Sequence, residues 1–90
     1  MSKTIVTLVG KDHVGIIAAI CNYFADNDIN ILDIKQTTVG DYINMMMIVD
    51  TDKYKKTFGE LSEDLKKVGE GVGCIVQAQH EEIFNMMHRI

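Results

Sequence analysis

The chain has 90 residues, 47% of them hydrophobic and 24% charged, with a formal net charge of −4. That length predicts one compact domain with a modest core, and an average charge content excludes an intrinsically disordered chain. The acidic balance excludes a basic nucleic-acid face, and neither a long apolar span nor a signal peptide is present, so a cytoplasmic protein with no membrane segment is expected.

Lys3 to Val9 is nearly continuous in apolar character and predicts a central first strand covered on both faces. Gly10 to Ile16 is a strand-to-helix loop with glycine near both ends. The first helix is expected from about Val14 to Asn27, with Ile17, Ile20, Cys21 and Phe24 facing a sheet. Asp26-Asn27-Asp28 supplies the turn that ends it. Ile29 to Val39 is the second strand; its charges at Asp33 and Lys35 suit a sheet edge. Gly40-Asp41 is a Gly-x hairpin turn. In the third strand, Tyr42 to Thr51, Ile43, Met45, Met47 and Val49 share one face and Tyr42, Asn44, Met46 and Ile48 the other.

Asp52 is placed to cap a second helix over about Lys53 to Glu70. Its stripe is Tyr54, Phe58, Leu61, Leu65 and Val68, and Lys55, Glu60, Glu63, Asp64, Lys66 and Lys67 form the solvated face. Gly69, Gly71 and Gly73 are expected to break it. Gly73 to Gln79 is a fourth strand, followed by a short apolar helix over about Glu81 to His88. Right-handed crossovers turn this order into an α+β ferredoxin-like βαββαβ sandwich: a four-stranded antiparallel sheet with both helices on one face. The other face needs the tail helix or a second subunit as cover. A domain this small leaves about 40% of its unfolded-chain surface exposed, so pairing with a copy of itself is favoured.

The chemistry concentrates in Gly10-Lys11-Asp12-His13-Val14-Gly15-Ile16. Asp12 is placed to cap the first helix, and the free N–H groups and dipole of that helix favour an anionic group such as a carboxylate. Ordinary turn chemistry explains the same glycines. The loop is not a phosphate loop, because Ile16-Ile17 stand where lysine and a hydroxyl residue are needed. Cys21 and Cys74 are expected to be buried thiols without a disulfide. His80, Glu81, Glu82 and His88 lack the spacing of a zinc helix, so no metal is assigned. No nucleophile–base arrangement stands out, so no enzyme activity and no cofactor are assigned.

Val9 to Ile16 resembles the Gly-x-Asp-x-x-Gly-Ile loop of the ACT domain, a small ligand-sensing module. Asn30-Ile31, followed by Asp33-Ile34 and Gln36, resembles the start of that family's second strand, and Tyr42 to Val49 its apolar third strand. The resemblance extends to about His80, and the Phe84 to Ile90 tail is similar to that of short, stand-alone prokaryotic ACT proteins. It implies a homodimer joined edge to edge that binds an amino acid or related metabolite at the pair interface. The contacts it implies are Asp12, His13, Val14, Gly15 and Ile16, together with Asn30 and Ile31. It further implies regulation of a partner enzyme or regulator. The alternative reading is a protein-interaction module that docks a partner on the open sheet face and C-terminal helix, without a small ligand.

Overall fold

The computed structural model describes residues 3–81. All but Glu81 of the expected tail helix lies outside them. The element order is β1 (Lys3–Lys11), α1 (Ile16–Asp26), β2 (Asn30–Val39), β3 (Tyr42–Asp50), α2 (Phe58–Gly71) and β4 (Cys74–His80). The strands form a four-stranded sheet in the order β2-β3-β1-β4. β1 is central, as its continuous apolar run predicts, but among the described residues the helices cover only one of its two faces, and Val9 on the other is exposed. It pairs antiparallel with β3 from Lys3↔Asp50 to Lys11↔Tyr42 and with β4 from Thr4↔His80 to Gly10↔Cys74. β2 takes the edge that its charges suit, pairing with β3 through a bulge between Ile31 and Asp33.

Period-two alternation puts Val6 and Leu8, then Ile43, Met45, Met47 and Val49, then Cys74 and Val76 on one face. They pack with Ile16, Ile20 and Phe24 of α1 and with Leu61 and Leu65 of α2. Both helices therefore cover one face. On the other, Val9, Tyr42, Met46 and Ile75 are exposed, while Ile5 is buried. Gly40 supplies the positive φ (60°) at the first position of the β2–β3 turn.

Both helices start later than their caps predict. α1 begins at Ile16, and its N-cap is Gly15 at φ 99° with no side chain capping it. Asp12 lies too far ahead to cap, and its N–H is donated to the Asp41 carbonyl at 2.7 Å. The later start moves the buried stripe to Ile16, Ile20 and Phe24. Ile17 is 45% exposed as a result, and Cys21 is exposed rather than buried. α2 begins at Phe58 because the Thr57 hydroxyl accepts the Glu60 N–H at 3.2 Å. Thr57-Phe58-Gly59-Glu60 has the spacing of a capping box. Asp52 stands in the preceding turn and donates its N–H to the Asp50 carboxylate at 2.9 Å.

The two helices are tied across their outer edge. Tyr23 of α1 donates its hydroxyl proton to Asp64 Oδ2 of α2 at 2.9 Å. The Tyr54 hydroxyl lies 3.4 Å from that of Tyr23 and is the donor of the pair, since Tyr23 has one proton. Lys56 Nζ lies 3.5 Å from the same carboxylate oxygen. Partial burial, and then these bonds, push the Tyr23 phenol well above its usual range.

Gly69 and Gly71 do not break α2, which runs through both. A Cβ on Gly69 would lie 2.7 Å from the Cys74 carbonyl oxygen and 2.7 Å from Val76 Cγ2, so glycine here is what lets helix and strand meet. Among the described residues, a Cβ on Gly71 would meet nothing within 4 Å. Opposite outcomes follow for one substitution. Gly69→Ala is expected to lower the unfolding midpoint: overpacking costs about 1–3 kcal/mol, more than the ~1 kcal/mol gained in helix propensity. Gly71→Ala is expected to raise it slightly. Thermal unfolding of both variants checks the signs.

Candidate ligand-binding loop

β1 carries the chain two residues past the expected strand end, to Lys11. Gly10 lies inside the strand, where it pairs with Cys74. A Cβ there would fall 2.5 Å from Cys74 Sγ and 3.0 Å from Cys74 Cα. This glycine answers a close approach. Gly15 answers backbone conformation, because its φ is 99° while among the described residues a Cβ would meet nothing within 4 Å. Between them Asp12, His13 and Val14 form a tight, exposed connection.

Three anchors hold this loop. The Asp12 N–H to Asp41 carbonyl bond ties its start to the β2–β3 turn. The Gly15 carbonyl accepts the Ala19 N–H at 3.0 Å and starts α1. Between them, His13 Nε2 lies 2.5 Å from the Val72 carbonyl oxygen and Nδ1 lies 3.0 Å from that of Val14. These bonds raise the His13 pKa above 6.5, that to Val72 most, then that to Val14; Asp12 adds a smaller attraction and desolvation opposes. Burial, followed by the Asp12 charge, pushes the Cys74 thiol up as well. Val14 is 99% exposed at the tip. α1 has neither a side-chain cap nor an acidic residue in its first turn, so its positive end faces outward beside Asp12 and Gly15.

Asp12, His13, Val14, Gly15 and Ile16 are therefore contiguous in space. Ile16 differs from the rest, because its side chain is a core residue at 1% exposure. Asn30 and Ile31 stand elsewhere. They pair with Asp50 and Val49, whose β1 partners are Lys3 and Thr4, whereas the loop follows Lys11 at the other end. Eight strand steps separate the ends, roughly 26 Å at about 3.3 Å per residue. One subunit does not bring the two groups together. Asn30 is exposed, and Ile31 is half-buried against the core.

The groups missed in the sequence are backbone carbonyls, those of Asp41 and Val72. Val72 stands 59 residues from His13. No local pattern signals such a bond; only Gly71-Val72-Gly73 marks a turn there.

The ACT domain family matches residues 2–79, and the chain belongs to that family. Among its relatives is a UPF0237 protein of Bifidobacterium longum, 48% identical over 90 residues, with all of both chains covered. The fold is that of a solved ACT domain protein from Streptococcus pneumoniae, with a TM-score of 0.82, 35% identity, and 92% of this chain and 93% of that one covered. It also superimposes on part of a formyltetrahydrofolate deformylase from Pseudomonas syringae, with a TM-score of 0.81 and 16% identity, covering 89% of this chain and 28% of that enzyme. That likeness is one of fold.

The two glycines of the loop are expected to fail differently. Gly15→Ala should cost about 1–2 kcal/mol through its left-handed backbone alone. Gly10→Ala should cost more, and Cys74→Ala should recover only part of the loss, since the Cys74 Cα remains 3.0 Å from the new Cβ. Denaturant unfolding of the two single variants and the Gly10→Ala/Cys74→Ala double variant checks this.

Proposed function

We propose that the chain is a regulatory ligand-binding ACT domain. It acts as a homodimer and takes an amino acid or related small metabolite between the loop Asp12 to Ile16 of one subunit and Asn30 and Ile31 of the partner subunit. The observation that carries the reading is the loop itself: a glycine-opened, uncapped helix N-terminus, fixed at its start and middle by Asp41 and Val72. Such an end favours a carboxylate through its free N–H groups and dipole. The side-chain amide of Asn30 offers both a donor and an acceptor to an amino acid's polar groups.

The separation of Asn30 from the loop supports a site shared between subunits. Two β2 edges paired antiparallel about a two-fold axis would carry Asn30 of the partner subunit to the Thr37–Val39 end, which lies beside Lys11 and the loop. An axis at Ile34 sets Asp33 opposite Lys35 of the partner subunit, twice by symmetry. It also covers Ile34, which is 46% exposed although it points to the helix face. Opposite charges facing across strands attract, and like charges there destabilise. Ligand binding across the interface then stabilises the pair by mass action and changes its geometry toward a partner enzyme or regulator.

A second reading, a protein-docking module on the open sheet face, is favoured by exposed Val9, Tyr42, Met46 and Ile75. Thermal unfolding against the twenty amino acids separates the two. At about a hundred times the dissociation constant, a bound ligand adds roughly 2.7 kcal/mol, which raises the midpoint by several degrees. Gly15→Val should abolish that rise and leave a dimer; a panel with no rise supports the docking module. The pairing has its own check by sedimentation: Asp33→Lys should weaken the dimer, and Asp33→Lys combined with Lys35→Asp should restore it.

A further inference from the structure

We propose that His13 is a protonation-operated latch, which in its doubly protonated form closes the β1–α1 loop onto the α2–β4 turn. Its two ring nitrogens each face a carbonyl oxygen, Nε2 that of Val72 at 2.5 Å and Nδ1 that of Val14 at 3.0 Å. A carbonyl only accepts, so both nitrogens must donate. Only the imidazolium carries two N–H groups. The neutral ring keeps one bond and turns a lone pair toward the other carbonyl. If the proton stays on Nδ1, the bond between loop and turn is lost. If it stays on Nε2, the repulsion falls at Val14, the tip of the loop. Either neutral form holds the closed geometry less firmly than the imidazolium does.

The rest of the surroundings keeps the switch simple. The segments that meet at His13 carry Lys11 and Asp12 on the loop, Asp41 on the hairpin turn, and Glu70 and Cys74 on either side of Val72. Of these, Asp12 is the charge that acts on the ring, and it favours the same form as the two carbonyls. Cys74 is held as a thiol by burial. The folded-state pKa is raised above 6.5, so the latch contributes fully below pH 6.5 and its contribution disappears as pH rises through the folded value. The loop is held most firmly under mildly acidic conditions and loosened on the alkaline side. If that loop holds the ligand, as proposed above, His13 is a positioning residue and ligand affinity falls as the latch opens.

The test uses the ligand-free full chain. The His13 ring proton signal is followed by NMR from about pH 5 to about pH 9, together with the amide signals of Gly15 and Gly73. The expected result is a His13 midpoint above 6.5, with both amides shifting at that midpoint, since they flank the two bonded carbonyls. A midpoint at or below 6.5, or a Gly73 amide indifferent to it, overturns the proposal. Thermal unfolding of His13→Gln and His13→Ala adds a readout that a merely structural histidine would not move. The wild-type midpoint should exceed that of each variant at about pH 5.5, and the gap should be clearly smaller at about pH 9. An equal gap at both values overturns the latch. Titrations that succeed where the amino-acid panel shows no shift at either pH support the latch and remove the ligand reading alone.

Discussion

The seat of Cys74 between two glycines sets the geometry on which the rest depends. On one side, its thiol fills the space where a Gly10 side chain would begin. On the other, its carbonyl occupies the space where a Gly69 side chain would begin. β4 is thereby gripped at its first residue by both the central strand and the second helix. The grip places the turn before it, where the Val72 and Gly73 N–H groups bond the carbonyls of Gly69 and Glu70 and Gly73 takes φ 70°. The Val72 carbonyl that meets His13 is positioned as a consequence. Cys74 is a small filler whose thiol also donates to the Val72 carbonyl at 3.6 Å, and a desolvated thiol is a poor nucleophile.

The parts of the fold legible in the sequence are those set by short-period burial. In β3, Ile43, Met45, Met47 and Val49 alternate with polar or half-exposed residues, and the structure buries these four. The edge position of β2 was equally legible, because Asp33 and Lys35 are tolerated only where solvent reaches. The helix starts were not. Asp12 and Asp52 are good capping residues by type, yet each binds through its backbone N–H in a neighbouring turn. The capping box at Thr57 is masked in the sequence, because Tyr54 and Phe58 share helical spacing although Tyr54 precedes the helix. A slip of one residue in the α1 stripe then moved Ile17 and Cys21 from an expected interior to the surface.

The candidate site divides along the same line. The contiguity of Asp12 to Ile16 is local and could be read from glycine positions. The role of each glycine could not, because Gly10 answers to a residue 64 positions away and Gly15 to its own backbone. The distance between Asn30 and the loop follows from sheet order, which only the ladder registers fix. A shared site thus makes the β2 edge as much a part of recognition as the loop. The bulge near Leu32 adds twist to that edge, which limits pairing in other registers.

The first strand and the last are direct neighbours, with Thr4 opposite His80. A chain emerging from the ribosome can form the β2–β3 hairpin early and add β1 to it. One edge of β1 then stays unpaired until β4 has been made. Throughout that interval the inner faces of Val6 and Leu8 lack the cover of α2 and β4. Closure by so distant a contact is slow compared with helix or hairpin formation. The short β4 is therefore the step that commits the domain, and truncation within it would leave a nascent sheet with an open centre, prone to pairing with other chains.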